Sequence, residues 1–304
     1  MKSKALKILS PAKINLSLKI LTKLSNGYHL LSSHVIFINL FDRIFIRKSN
    51  SNKVEIVGPY KDTLLNNGGD LLIYKTLKAC QSNGITKDDF NIILEKNIPI
   101  SAGLGGGSSN SASIIRYFMS TGMKDKVSDV IEFSKSFGAD VPACLYSRPL
   151  LMEGIGEKLS FISCNNIINL GIVLINPKIQ MSTKDVFEKL VFDQNKIQND
   201  FKFLKLNDLK TFSMIASIGN DLKDQAIKIV PEIKSMLIQF NKNKLCIGSG
   251  MSGSGPTCYG LFGSVTDAKT FELELKKLPP CKNYWIWSGG MFAQSNNKKF
   301  LPIE

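Results

Sequence analysis

Residues Pro99 to Ala112 read Pro-Ile-Ser-Ala-Gly-Leu-Gly-Gly-Gly-Ser-Ser-Asn-Ser-Ala, set between an apolar run at 91–94 and a helical pattern at 108–119. Such a segment is built to hold phosphate. Gly103, Gly105, Gly106 and Gly107 let backbone N–H groups converge without a Cβ in the way, and the helix that follows offers its unpaired N–H groups and the positive end of its dipole to an anion. Ser108 and Ser109 add hydroxyl donors where the helix begins. A flexible linker has no reason to sit tightly between a strand and a helix.

The commoner phosphate signatures are absent. No Gly-Lys pair occurs anywhere, which excludes the P-loop. A formal G-x-G-x-x-G stands at Gly248, Gly250 and Gly253, but Ser254-Gly255-Pro256 and a strand-like run at 257–262 follow it. A dinucleotide fingerprint needs a helix opening directly from the glycines.

The elements that must position the loop can be read from periodicity. From 12 to 20, Ile14, Leu16, Leu18 and Ile20 alternate with Lys13, Asn15, Ser17 and Lys19, which predicts a strand with one polar face. Asn26-Gly27 is a turn, and strands are expected at 33–41, 43–47 and 53–57. His34, among apolar strand residues, reads as structural. Asp70 caps a predicted helix that runs to Ser82, and a strand at 90–94 leads into the glycine loop. A helix at 126–137 ends at Gly138, followed by Ala139-Asp140-Val141-Pro142 and strand-like runs at 143–146, 150–152 and 158–162. Beyond lie a strand at 169–175, a helix from Ser182 to Leu190, a polar, lysine-rich connection at 193–211 and a helical stretch at 220–240 that Pro231 kinks or splits. The end reads as strand 244–247, glycine loop, strand 257–262, helix 266–278 and strand 284–287. Strands and helices alternate in both halves, so the class is mixed α and β in two lobes.

With 304 residues and 43% hydrophobic content the chain can bury a substantial core. No apolar stretch of about 18 residues occurs, and strand-like patterning starts within the first ten residues, so the expected location is cytoplasmic with no membrane partner. Cys80, Cys144, Cys164, Cys246, Cys258 and Cys281 are scattered singly without a CxxC pair, which favours reduced, buried thiols over disulfides or zinc. The net charge of +14 suggests nucleic acid, yet only Arg43, Arg47, Arg116 and Arg148 of the 39 basic residues are arginine. Arginine is the residue that forks onto phosphates and base edges, so no nucleic-acid partner is expected.

Three segments together resemble the motifs of the GHMP small-molecule kinases: Ser10-Pro11-Ala12-Lys13-Ile14-Asn15-Leu16, Pro99 to Ala112, and Met251-Ser252-Gly253-Ser254-Gly255-Pro256-Thr257. Within that family, Gly27-Tyr28-His29 and Gly138-Ala139-Asp140-Val141-Pro142 resemble the branch acting on a cytidylylated methylerythritol in the non-mevalonate route to isopentenyl diphosphate. The resemblance implies an α+β, two-lobed GHMP kinase fold: an N-terminal lobe like the second domain of ribosomal protein S5, a ferredoxin-like C-terminal lobe, and an active site in the cleft between them. It implies an ATP-binding and catalytic lobe at 1–152 and a second lobe at 153–304 that completes the substrate site. The implied reaction moves the γ-phosphate of ATP to the acceptor's 2-hydroxyl.

By the same resemblance, Pro99, Ile100, Ser101, Ala102, Gly103, Leu104, Gly105, Gly106, Gly107, Ser108 and Ser109 hold ATP. Asp140 is the candidate base for the acceptor hydroxyl, and Lys13 is paired with it, where a cation keeps a carboxylate ionised. Asn15 helps hold the substrate's polar end. Cytidine needs a flat apolar face and edge-on hydrogen bonds. Tyr28 is assigned as a stacking face, His29 as the edge partner and Phe187 as the opposing face, with Thr183 nearby. Gly253, Ser254 and Gly255 brace the phosphate loop. Magnesium should accompany ATP, carried mainly by phosphates and water because no paired carboxylates mark a protein cage. A monomer or weak dimer is expected. Two alternatives stay open: another kinase of this family, acting on homoserine or mevalonate, and a catalytically silent nucleotide sensor.

Overall fold

The structure is a computed structural model that describes residues 5–66, 68, 71–121, 129–164, 169–190 and 205–292. Strands β1 (Leu6–Asn15), β2 (Lys19–Lys23), β3 (His29–Ser49), β4 (Lys53–Val57), β5 (Asp89–Glu95), β6 (Leu150–Gly154) and β7 (Lys158–Phe161) make one seven-stranded sheet. The long β3 is its spine. Arg43 to Ile46 pair with β1 on one edge and β5 on the other, and Leu31 and Ser32 do the same with β2 and β6. Helices α1 (Lys61–Asn66), α2 (Leu71–Ser82), α3 (Gly106–Ser120), α4 (Val130–Lys135) and α5 (Val141–Tyr146) accompany this sheet. Phe90, Ile92 and Leu94 alternate along β5 and bury against Leu77, Tyr117 and Phe118 of the helices, which places α3 and the glycine loop that opens it.

The second sheet joins β8 (Gly171–Asn176), β9 (Cys246–Met251), β10 (Cys258–Phe262) and β11 (Trp285–Gly290) in the order β11-β8-β10-β9, antiparallel throughout. With α6 (Thr183–Glu188), α7 (Leu209–Ile218), α8 (Lys223–Ile229), α9 (Glu232–Lys242) and α10 (Val265–Lys277), the chain runs β-α-β-β-α-β, the ferredoxin-like succession. The two lobes share an apolar seam. Ile14, Ile36 and Ile38 of the first sheet, with Leu16 just past β1, pack with Ile172, Leu174 and Leu261 of the second, and Tyr259 Oη donates to Leu16 O at 2.6 Å.

Several sequence expectations need correction. Residues 143–146 are helical, not a strand: a short apolar run does not declare its period, while Pro142 suits a first helical turn and Cys144 N donates to Asp140 O at 3.1 Å. Gly248 and Gly250 lie inside β9, not in a loop, and only the turn at 252–256 leaves the sheet. A Cβ on Gly250 would stand 2.6 Å from Tyr259 Oη, so this glycine makes room for a neighbour's ring. The strand expected at 12–20 is two, β1 and β2, separated at 16–18. Helix α7, capped by the Asp208 side chain on Thr211 N, has no counterpart in the sequence reading. Pro231 splits the 220–240 stretch and stands as the N-cap of α9. The expected lobe boundary at 152/153 falls inside β6; the change of sheet comes between Phe161 and Gly171. The Asp70 cap, the helix start at 126 and most of the 193–211 connection lie outside the described residues. Among the described residues the six cysteines are free, and no helix is long and apolar enough to cross a membrane.

Candidate active site

Lys13 follows a register shift in the β1/β3 pairing: Pro11 opposes Phe41, whereas Lys13 opposes Phe37. Such irregularities re-aim side chains beside functional sites. The polar face of β1 therefore turns not to solvent but to the glycine loop, where Lys13 N donates to Leu104 O at 2.9 Å. The Lys13 side chain is only 5% exposed; its Nζ lies 3.0 Å from Asp140 Oδ2 and donates to Asn15 Oδ1 at 2.7 Å. Asn15 Nδ2 donates to Ser33 Oγ at 2.8 Å, and Ser33 Oγ donates to Ser17 O at 2.6 Å, so the ammonium's neutral partner is itself held. Asp140 is the N-cap of α5, yet its side chain makes no capping hydrogen bond, which leaves the carboxylate free to face the cleft.

The loop's glycines are required by their neighbours as well as by an anion. Gly103 and Gly105 have φ of 73° and 64°, the left-handed region where glycine is unstrained. A Cβ on Gly103 would run into Ser252 O; on Gly105 it would stand 2.6 Å from Lys13 Cγ, and on Gly106 2.9 Å from Lys96 Nζ. Two lysines are thus pressed against the start of α3. Lys96 is buried and paired with the fully buried Asp42 at 2.5 Å; Asp42 also accepts from Asn97 N at 2.7 Å, Ile98 N at 2.8 Å and Asn110 Nδ2 at 3.0 Å. One carboxylate thereby ties β3, the loop's entry and α3 together.

The third glycine segment reaches the same point from the second sheet. Ser252 Oγ donates to Gly103 O at 2.9 Å and accepts from Asn15 N at 3.1 Å. Asn220 Nδ2 donates to both Met251 O and Gly253 O at 2.8 Å, fixing the turn, and Ser254 Oγ shares a hydrogen bond with Thr183 Oγ1 at 2.9 Å.

A cleft of about 520 Å³ results, lined by Lys13, Asn15, Asp140, Pro99 through Ser108, Thr183, Phe187, Gly253 and Ser254, with Leu64 and Leu72 among its apolar lining. Ser109 and Gly255 are buried and do not line it. The three expected base-binding residues are not all in this cleft. Phe187 lines it and lies against the His29 ring, centroids 5.0 Å apart and tilted by 43°. Tyr28, 58% exposed, lines instead a neighbouring cavity of about 290 Å³ with Gly138, Ile155 and Gly156; the two spaces meet at Ala139. Burial, then the nearby charge of Lys23, holds the His29 imidazole below its ordinary value, so it is neutral at pH 7 and able both to donate and to accept. His34 is buried and shares a hydrogen bond with Ser17 Oγ at 2.8 Å, away from the cleft. Among the described residues no group of three or more His, Cys, Asp or Glu is gathered as a metal site.

Lys96, Asp42, Ser252 and Asn220 were not singled out from sequence. Asp42 lies within β3 and Lys96 just past the end of β5, and no spacing signals their pairing. A lysine placed just before the glycine loop was the one available hint.

A family profile for the GHMP kinases N terminal domain matches residues 72–148, and one for GHMP kinases C terminal matches 201–280. A 4-diphosphocytidyl-2-C-methyl-D-erythritol kinase from Mesorhizobium japonicum is 35% identical, over 88% of this chain and 90% of that one. The chain belongs to the GHMP kinases. A kinase of the same description from Chelativorans sp. is 32% identical to this GHMP kinase, over 87% of this chain and 89% of its own. A crystal structure of a 4-(cytidine 5'-diphospho)-2C-methyl-D-erythritol kinase superposes with a TM-score of 0.68, covering 95% of this chain and all of the other at 24% identity, which shows the fold. This GHMP kinase is therefore a two-lobed, ATP-dependent phosphotransferase acting on a small molecule.

Proposed function

We propose that this GHMP kinase transfers the γ-phosphoryl group of ATP to the 2-hydroxyl of 4-diphosphocytidyl-2-C-methyl-D-erythritol, giving the 2-phosphate and ADP, in the non-mevalonate route to isopentenyl diphosphate. The observation that carries the reading is the Lys13–Asp140 pair, 3.0 Å apart at the mouth of the glycine loop, in a chain whose relatives bear that enzyme's name. The acceptor is taken from those relatives. The roles of the site residues are argued from their chemistry.

Phosphoryl transfer demands positioning and charge neutralisation more than covalent help. The N–H groups of the loop at 103–107 and the start of α3 supply fixed donors and a positive dipole end for the phosphates, with Ser108 at the rim. The glycine loop, with Gly103 and Gly105 in the left-handed region and Gly103 through Ser108 lining the cleft at the start of α3, fits a polyphosphate. Leu64 and Leu72 give an apolar wall for a purine. ATP, when bound, supplies the transferable phosphoryl group and carries magnesium on its phosphates and water.

Asp140 accepts the proton of the acceptor hydroxyl as that oxygen bonds to phosphorus, and ADP leaves on the opposite side. Lys13, held by Asn15, keeps a positive charge beside both the carboxylate and the reacting oxygen. Phe187 and the neutral His29 offer a face and an edge for the cytosine, and Tyr28 closes on it from the adjoining cavity. The lobes, which change over between Phe161 and Gly171, each contribute residues to the site, and one chain suffices to complete it, so a monomer or weak dimer in the cytoplasm can work.

ADP release by the purified protein with magnesium and ATP, in the presence of the cytidylylated acceptor, homoserine, mevalonate or no acceptor, tests the reading. Turnover with the first alone is expected. Turnover only with homoserine or mevalonate would keep the kinase and discard the acceptor; ATP binding with no turnover on any would leave a nucleotide sensor.

A further inference from the structure

Arg116 stands in the middle of α3, 2% exposed, with no carboxylate paired to it among the described residues. A guanidinium carries five N–H donors and no means of shedding its charge at neutral pH, so a chain that buries one must occupy those donors. Here they go to backbone and hydroxyl oxygens. Nη1 donates to Cys144 O at 2.8 Å and to Ser147 Oγ at 3.4 Å, and Nη2 donates to Leu9 O at 2.9 Å and Ser113 Oγ at 2.6 Å; Nε has no partner among the described residues.

The elements so joined are the three that carry the site. Leu9 is on β1, which carries Lys13 four residues further along; Cys144 and Ser147 close α5, whose N-cap is Asp140; α3 itself opens from the phosphate loop. The guanidinium sits at the C-terminal end of α5, where positive charge complements the dipole and the last carbonyls lack partners. The short α5 is thereby pinned at its far end to the strand that carries the lysine opposite its near end.

We propose that Arg116 is a positioning residue, holding α5 against β1 so that Asp140 and Lys13 stay 3.0 Å apart. The inference rests on the reading of Asp140 as the base. Arg116 is buried and does not line the cleft, and its removal leaves the loop's own anchors, Asp42 and Ser252, in place.

The test is a double-mutant cycle on turnover, with ATP affinity measured alongside by direct titration and with whichever acceptor the wild type phosphorylates. Arg116→Met is expected to lower kcat by about 10²-fold, the scale of an ångström's misplacement of a reacting group, with ATP affinity unchanged within about threefold. Placed on Asp140→Asn, the same substitution should cost almost nothing more, because nothing remains to be positioned. If Arg116→Met proves unstable, Arg116→Lys, which can reach one carbonyl but not both, serves with the same cycle and a smaller loss. A normal kcat in Arg116→Met, a loss that multiplies with Asp140→Asn, or a parallel fall in ATP affinity would overturn the proposal. Full turnover by Asp140→Asn alone would instead fault the site reading, and the positioning role with it.

Discussion

Lys13 Nζ lies 3.0 Å from Asp140 Oδ2 while donating to Asn15 Oδ1, so one ammonium bridges a carboxylate and an amide that both line the cleft. Lys13→Met keeps the stem's packing against Gly105 and removes only the charge. Turnover should fall by about 10²–10³-fold, the scale of losing one preorganised charge stabiliser, while the melting temperature moves little. Turnover within a few-fold of wild type would assign Lys13 to structure.

The space at Gly105 is occupied by Lys13, so a methyl there should act through the lysine. Gly105→Ala combines left-handed strain, about 1–2 kcal/mol, with displacement of the Lys13 stem. Gly84→Ala, at φ +66° with nothing within 4 Å, carries the strain alone. A loss of stability in both variants, larger in Gly105→Ala, and a loss of turnover confined to Gly105→Ala are expected. Equal kinetics in the two variants would contradict the close packing.

The Lys96–Asp42 pair gives a stability prediction. Lys96→Met leaves a fully buried carboxylate without its cation, which costs about 3–5 kcal/mol in comparable sites. A denaturant titration showing less than about 1 kcal/mol would mean that the backbone N–H groups of Asn97 and Ile98 already satisfy Asp42.

Much of this was legible in the chain. The glycine loop and its helix, the alternation around Lys13 and the paired strands of the second lobe follow from local pattern, because glycine needs, caps and period-two alternation are written over a few residues. What escaped is what depends on distant partners. Gly250 belongs to a strand because Tyr259 crosses it, and Asp42, Lys96 and Ser252 matter through residues remote in sequence, whereas the helix at 143–146 was missed because a short apolar run does not declare its period. The base-binding trio was read as one slot, whereas Tyr28 faces a second cavity, a difference of side-chain placement that no spacing encodes.

Burial pulls the His34 imidazole down to about 4 from an ordinary 6.5. The unfolded chain takes up a proton near 6.5 and the folded one only near 4, so His34 leaves stability intact above about 6.5 and erodes it as pH falls towards 4. The total is on the order of 3 kcal/mol, at about 1.4 kcal/mol per pH unit. Urea midpoints from pH 7.5 to 4 should decline less steeply in His34→Gln than in wild type; identical slopes would show that other groups carry the acid sensitivity.

The most direct measurement is a single-turnover transfer of the labelled γ-phosphoryl group to 4-diphosphocytidyl-2-C-methyl-D-erythritol, with both substrates saturating, by wild type and Asp140→Asn. Fast labelling of the 2-hydroxyl by wild type and a rate lower by about 10²–10⁴-fold in the variant, with ATP still bound, is the predicted result. Equal rates in the two proteins, or no labelled acceptor from wild type, would contradict the account.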